Sequence, residues 1–216
     1  MKSMQLLCGL MVCSIVLACR SASADAPTTA PADPQEVAAI RQSVDEFIRL
    51  LNKADTGELA KAFGGNDASL KVVIAFNDAL HAAEDTKAAL IKRFPDQMSN
   101  AANAAGPMDA MVKRMRTQGV TTDGNTAIIG NRIGGVTLKK VDGVWKVADL
   151  ISDPDGKLQM VQILPKMTKA LDEVRVEVDG GKYASVEEAQ QALAKKIRLA
   201  TAIFVPKTNP ATRPAN

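Results

Sequence analysis

Two Asp-Gly pairs, Asp123-Gly124 and Asp142-Gly143, each stand among β-branched residues, in Thr122-Asp123-Gly124-Asn125 and Val141-Asp142-Gly143-Val144. A two-residue hairpin turn needs positive φ, which Asp and Gly tolerate, so each pair joins two antiparallel strands and sets their register. Four strands are expected, near residues 118–122, 125–131, 135–141 and 144–150, with Gly134-Gly135 at the bend between the hairpins. The rest of the chain has to be arranged around this meander.

Upstream, the helix signals are explicit. Asp33-Pro34-Gln35-Glu36 supplies an N-cap, a proline at the first helical position and a capping-box glutamate. Val37, Ile40, Val44, Phe47 and Leu51 then recur at helical spacing, which predicts a helix from about Pro34 to Ala54. Asp55-Thr56-Gly57-Glu58 repeats the cap for a short helix to Phe63, broken by Gly64-Gly65. From Asp67 to Phe94 the stripe Val73, Phe76, Leu80, Ala83, Leu90 and Phe94 predicts a long helix ended by Pro95. The Ala-rich residues 96–105 read as helical, and Met108, Met111, Val112 and Met115 suggest a short helix or a strand.

Downstream, Asp153-Pro154-Asp155-Gly156 reads as a turn with Asp153 as N-cap, after which the helical period returns and is expected to be interrupted at Pro165. Met167, Leu171, Val174 and Val178 form one stripe, Asp179-Gly180-Gly181 stops it, and Ser185 with Glu188 caps a last helix carrying Val186, Ala189, Leu193, Ile197 and Ala200. Helices, a compact antiparallel sheet and a final helix pair make an α+β protein. The division is 34–153 for the α+β domain, 154–204 for a C-terminal helix pair docked on it, and a Pro-rich tail at 205–216 expected to be disordered.

The second hairpin decides which side chains share a face. With Asp142-Gly143 as the turn, Val141 pairs with Val144, Lys140 with Trp145, Leu138 with Val147 and Val136 with Asp149. Strict alternation puts Val136, Leu138, Trp145, Val147 and Asp149 on one face, and Thr137, Lys139, Lys146 and Ala148 on the other. Trp145, the only tryptophan, is therefore expected on the core side with Asp149 beside it.

The stretch VTLKKVDGVWKVADL, residues 136–150, resembles the closing hairpin of NTF2-like domains, the cone-shaped α+β fold that includes SnoaL-like enzymes. In such cones the concave sheet face lines a cavity. The resemblance makes Trp145, Leu138, Val147 and Asp149 candidates for a ligand pocket, with Asp149 as its acid or base. The plainer alternative makes Trp145 core and has Asp149 end its strand, bonding the loop to the next helix.

Other candidate sites are sparse. His81 is the only histidine, so a catalytic triad or multi-histidine metal site has this residue or nothing. Asp78, His81 and Asp85 share one helix face beside Asn77, a pattern most simply explained as a solvated face. DLISDPDGK, residues 149–157, has three carboxylates and a glycine but lacks the acidic residue a calcium loop needs at its twelfth position. GNRIGG, residues 130–135, lacks the spacing of a dinucleotide loop and reads as a turn. No metal site and no cofactor is implied.

The first residues set the expected compartment. Lys2 precedes a 13-residue apolar run, Leu6 to Ala18, too short for a spanning helix and followed by small polar residues, as in a secretory signal peptide. Ala22-Ser23-Ala24 predicts cleavage before Asp25, a leader of 1–24 and a disordered Pro/Thr/Ala linker of 25–33; Val16-Leu17-Ala18-Cys19 resembles a lipobox, the alternative in which Cys19 carries lipid. All three cysteines lie in the leader, so cleavage before Asp25 leaves no disulfide, thiolate site or thiol nucleophile.

Without Lys2 and Arg20, 25 basic face 24 acidic side chains, a net charge of about +1. That balance argues against nucleic-acid or anionic-membrane partners, which need clustered positive charge. The reading is an exported, periplasmic or extracellular protein without a membrane span, a non-catalytic binding domain for a protein or small apolar ligand, with a homodimer compatible. The competing reading is a SnoaL-like enzyme using Asp149, with His81, on a hydrophobic substrate.

Overall fold

The computed structural model describes residues 33–53, 55–99, 112–113, 115–130, 135–151 and 154–201. The leader, its Asp25 and Cys19 alternatives, the linker, the tail, the 96–105 helix beyond Ser99, Met108, Met111 and Asp153 lie outside the described residues. The architecture is α+β. Helices α1 (Pro34–Leu51), α2 (Thr56–Ala62), α3 (Asp67–Arg93) and α4 (Pro95–Met98) precede strands β1 (Val120–Asp123), β2 (Thr126–Ile129), β3 (Val136–Val141) and β4 (Val144–Asp149), and α5 (Pro154–Asp179) and α6 (Val186–Thr201) follow.

The caps form where the sequence places them. Asp33 accepts a hydrogen bond from the Gln35 amide at 2.8 Å and Asp55 from the Glu58 amide at 3.0 Å; at α3 the cap is Asn66, not singled out in the sequence, which accepts from the Ser69 amide at 2.9 Å. The carboxylates of Glu36 and Glu58 turn elsewhere: Glu36 pairs with Lys140 and Glu58 with Lys61. At α6, Ser185 accepts from the Glu188 amide at 3.3 Å, while the Glu188 carboxylate reaches the Ala184 amide at 2.7 Å.

The sheet is an antiparallel meander in the order β1-β2-β3-β4. At the second turn Asp142 and Gly143 have φ of 52° and 81°, the pair of positive values that a type I′ hairpin demands. At the first, Asp123 pairs with Thr126, so the turn is Gly124-Asn125, one residue later than Asp123-Gly124. One face of the sheet, with Ala127, Ile129, Leu138, Trp145 and Val147, packs on Ile40, Val44, Phe47 and Leu51 of α1 and on Leu59 and Phe63.

Gly64 and Gly65 cover the outer edge of β4. The Gly64 amide donates to the Val147 carbonyl at 2.8 Å, occupying an acceptor that an edge strand would otherwise leave open. A Cβ at Gly65 would stand 2.0 Å from the Ala148 carbonyl, so no larger residue permits this approach.

Helix α3 is buried on two sides. Val73 enters the core beneath the sheet, while Val72 and Ala79 meet Met160 and Leu164 of α5. Further along, Thr86 Oγ1 shares its proton between the carbonyls of Ala82, 2.7 Å away, and Leu171, 3.1 Å away. Beyond it Leu90 and Phe94 join Val174, Val178 and Leu193 in a second core. Residue numbers rise together along both helices, so α3 and α5 run parallel away from the sheet, and α6 returns antiparallel, Lys196 reaching Glu173 and Glu177. Over 27 residues α3 is about 40 Å long, which separates the two cores.

One helix expectation is corrected: α5 runs unbroken through Pro165. Proline removes only the bond to the Val161 carbonyl, and it does so on an exposed face, while Leu164 before it and Leu171 after it pack against α3.

Candidate functional site

Three of the four pocket candidates stand together, in packed core. Leu138 and Val147 are paired across β3 and β4 and are wholly buried, and Trp145 beside them is 3% exposed. They share one core with Ile40, Val44, Phe47 and Leu51 of α1 and with Leu59, Phe63 and Val73. Over the indole, the Lys140 ammonium lies 5.3 Å from the ring centroid and 3.3 Å from the Glu36 carboxylate, so the tryptophan is roofed by an ion pair that ties β3 to the first turn of α1.

Asp149 is not with them, and its expected face is corrected. The ladder pairs Leu138 with Val147 but Thr137, not Val136, with Asp149, because a β-bulge adds one residue to β4 at Ala148. At a bulge two residues oppose one, and the alternation restarts out of phase. Val147 and Ala148 are accordingly both buried, and Asp149 joins the Thr121, Ile128 and Thr137 row on the other face. Ala148, expected on the wetter face, is 3% exposed. No Asp-Gly signal marks the bulge. The bulge lies where the Gly65 backbone comes against the Ala148 carbonyl, an approach that only glycine permits.

The Asp149 carboxylate has two partners. Oδ1 accepts from the Ile151 amide at 3.1 Å, a local turn at the strand end, and Oδ2 pairs with the Lys157 ammonium of α5. Both charged side chains are more than four-fifths buried. This fastens the strand end to the first turns of α5, as the plainer reading requires.

His81 is also in a structural bond. Its Nε2 lies 2.8 Å from the Leu51 carbonyl, at the C-terminal end of α1, where carbonyls lack intrahelical partners. Asp78 and Asp85 flank it in solvent. Asn77 is wholly buried on the same helix face, and its Oδ1 finds no hydrogen-bond donor among the described residues. Among those residues no three His, Cys, Asp or Glu side chains converge as metal ligands, and no helix is long and apolar enough to cross a membrane.

The most perturbed titrating groups are ones the sequence did not single out. At the α5–α6 turn, Glu177 is bonded by Lys182 at 2.6 Å and by the Tyr183 hydroxyl, with Lys196 at 3.5 Å. The Lys182 bond first, then the Tyr183 bond, lower its carboxyl to about 2. Burial, then the bond to Glu177, pushes the Tyr183 hydroxyl up to about 12. Tyr183 itself belongs to the second core, so this cluster locks the hairpin. Nearby, an open groove runs along α5 beside α6, lined by Pro165, Lys169, Asp172, Glu173 and Val176 of α5 and by Lys196 of α6.

Compared with protein-family models, curated proteins and solved structures, the chain has no match.

Proposed function

We propose that this chain is an exported protein of bacterial type whose folded part is a non-catalytic binding or interaction domain of the cell envelope. One observation carries the non-catalytic half. The carboxylate and the imidazole suited to acid-base work each join two elements of the fold, Asp149 to Lys157 and His81 to the end of α1. A general acid or base must reach a reacting atom, and the apolar residues that would have held substrate beside Asp149 are packed against α1 on the opposite face of the sheet. The NTF2-like resemblance of residues 136–150 belongs to the same proposal, with α1 side chains filling the concave face.

Export is supported by Lys2, the apolar run Leu6–Ala18 and Ala22-Ser23-Ala24. Intact-mass analysis of the native protein after cell fractionation tests it. The expected species begins at Asp25, carries no lipid and sits in the periplasm or medium; a cytoplasmic chain retaining its leader would overturn it. For the non-catalytic half, Asp149→Asn should complement a deletion strain once protein levels are matched. Loss of complementation at unchanged fold and abundance would restore the enzyme reading.

A further inference from the structure

Helix α5 has three sides. The stripe Leu164, Leu171 and Val178 faces α3, and Glu173 and Glu177 face Lys196 of α6. The third side, turned away from α3, carries Leu158, Pro165, Lys169, Asp172 and Val176, spaced seven, four, three and four residues apart and so sharing one helical face. Leu158 and Val176 are 64% and 61% exposed, two of the four large apolar side chains that stand out from the described surface. Lys169 and Asp172 lie between Pro165 and Val176. Their intrahelical partners are loose, Glu173 at 4.0 Å from Lys169 and Arg175 at 3.7 Å from Asp172.

This face is complementary to itself. Laid antiparallel on a second copy about a two-fold axis between Lys169 and Asp172, it sets Lys169 against the partner's Asp172 and Asp172 against the partner's Lys169. The same axis sets Pro165 against the partner's Val176, and extends Leu158 toward the partner's α5–α6 turn. A parallel arrangement would oppose lysine to lysine and aspartate to aspartate. An isologous contact requires this kind of self-complementarity. We propose that the chain associates as an antiparallel homodimer through this face of α5. The span from Pro165 to Val176 is about 17 Å, which places the contact among weak, concentration-dependent interfaces. The proposal is independent of compartment and of the absence of catalysis.

Sedimentation velocity of the purified protein over a wide concentration range tests it. The wild type should shift reversibly toward dimer as concentration rises. Lys169→Asp and Asp172→Lys, each creating two like-charge contacts about the axis, should each weaken association by roughly tenfold or more. An equimolar mixture of the two variants should recover it, because opposite charges then meet at both contacts. Both positions are exposed, and Trp145 emission should stay unchanged as the check on folding. A wild type that stays monomeric throughout, or a dimer indifferent to both substitutions and to their mixture, would overturn the proposal.

Discussion

Trp145 and Asp149, four residues apart on β4, point to opposite faces of the sheet, and the extra residue at Ala148 separates them. On one side the indole completes the core with α1. On the other the carboxylate pins the strand end to α5 through Lys157. The bulge thus converts what alternation makes a pocket carboxylate into a joint between the sheet and the helical half of the molecule.

Asp149→Asn should therefore lower stability by about 2 kcal/mol, the usual scale for a hydrogen bond to a charged group, and leave Trp145 emission unchanged. It strands the Lys157 ammonium in a largely buried position. Adding Lys157→Met should recover much of the loss, since replacing both members of a buried pair costs far less than removing one. Chemical denaturation of the two single variants and the double variant gives the coupling energy; additive losses would mean that the pair contributes nothing.

Deleting Ala148 removes the bulge but leaves Asp149 next after Val147 and opposite Thr137, still on the face turned away from the α1 core. The coupling between Asp149 and Lys157 should therefore survive the deletion in the same double-variant cycle. Loss of that coupling in a deletion variant that still folds would refute the face assignment.

The two hairpins, the caps at Asp33, Asp55 and Ser185 and the extents of α1 and α3 were legible because each rests on local chemistry: positive φ at Asp142-Gly143, a side-chain acceptor before an exposed helix end. What failed depended on tertiary contact. Pro165 reads as a break until α3 is seen to hold both sides of it, and Gly64-Gly65, which does stop α2 as expected, gives no local sign of its approach to β4. The candidate site failed for the same reason. Trp145, Leu138 and Val147 were placed together correctly by alternation, but the bulge that removes Asp149 lies where Gly65, more than eighty residues away in sequence, comes against β4.

Trp145, 3% exposed, should emit as a shielded indole and shift to the red on unfolding. Lys140→Met removes the cation over the ring and its bond to Glu36, both partly solvated, and should cost less than about 1 kcal/mol. Native emission like that of indole in water would contradict the core described around α1.

Leu193, on α6, is 6% exposed in the second core with Leu171, Val174 and Val178. Leu193→Asp should cost about 4 kcal/mol or more, combining a lost leucine with a buried charge. A thermal melt followed by circular dichroism would show it. An unchanged midpoint would mean that α6 is a loose appendage.

The Glu177–Tyr183 bond predicts how stability bends at both ends of the pH scale. Glu177 is held from 4.5 down to about 2, so the folded state binds its proton less readily than the unfolded chain does. Its contribution is fully present above pH 4.5 and is lost as pH falls toward 2. Tyr183 is raised from 10.0 to about 12, which reverses the sign: its contribution is fully present below pH 10 and is lost as pH rises toward 12. Glu177→Gln should therefore flatten the acid limb of the stability profile, and Tyr183→Phe the alkaline limb. Because Glu177 also faces Lys182 and Lys196, the acid limb of Tyr183→Phe should keep most of its slope. Denaturation midpoints of the wild type and both variants across the pH range measure this. A Glu177→Gln profile superimposable on the wild type below pH 4.5 would show that the cluster does not hold the α5–α6 hairpin together.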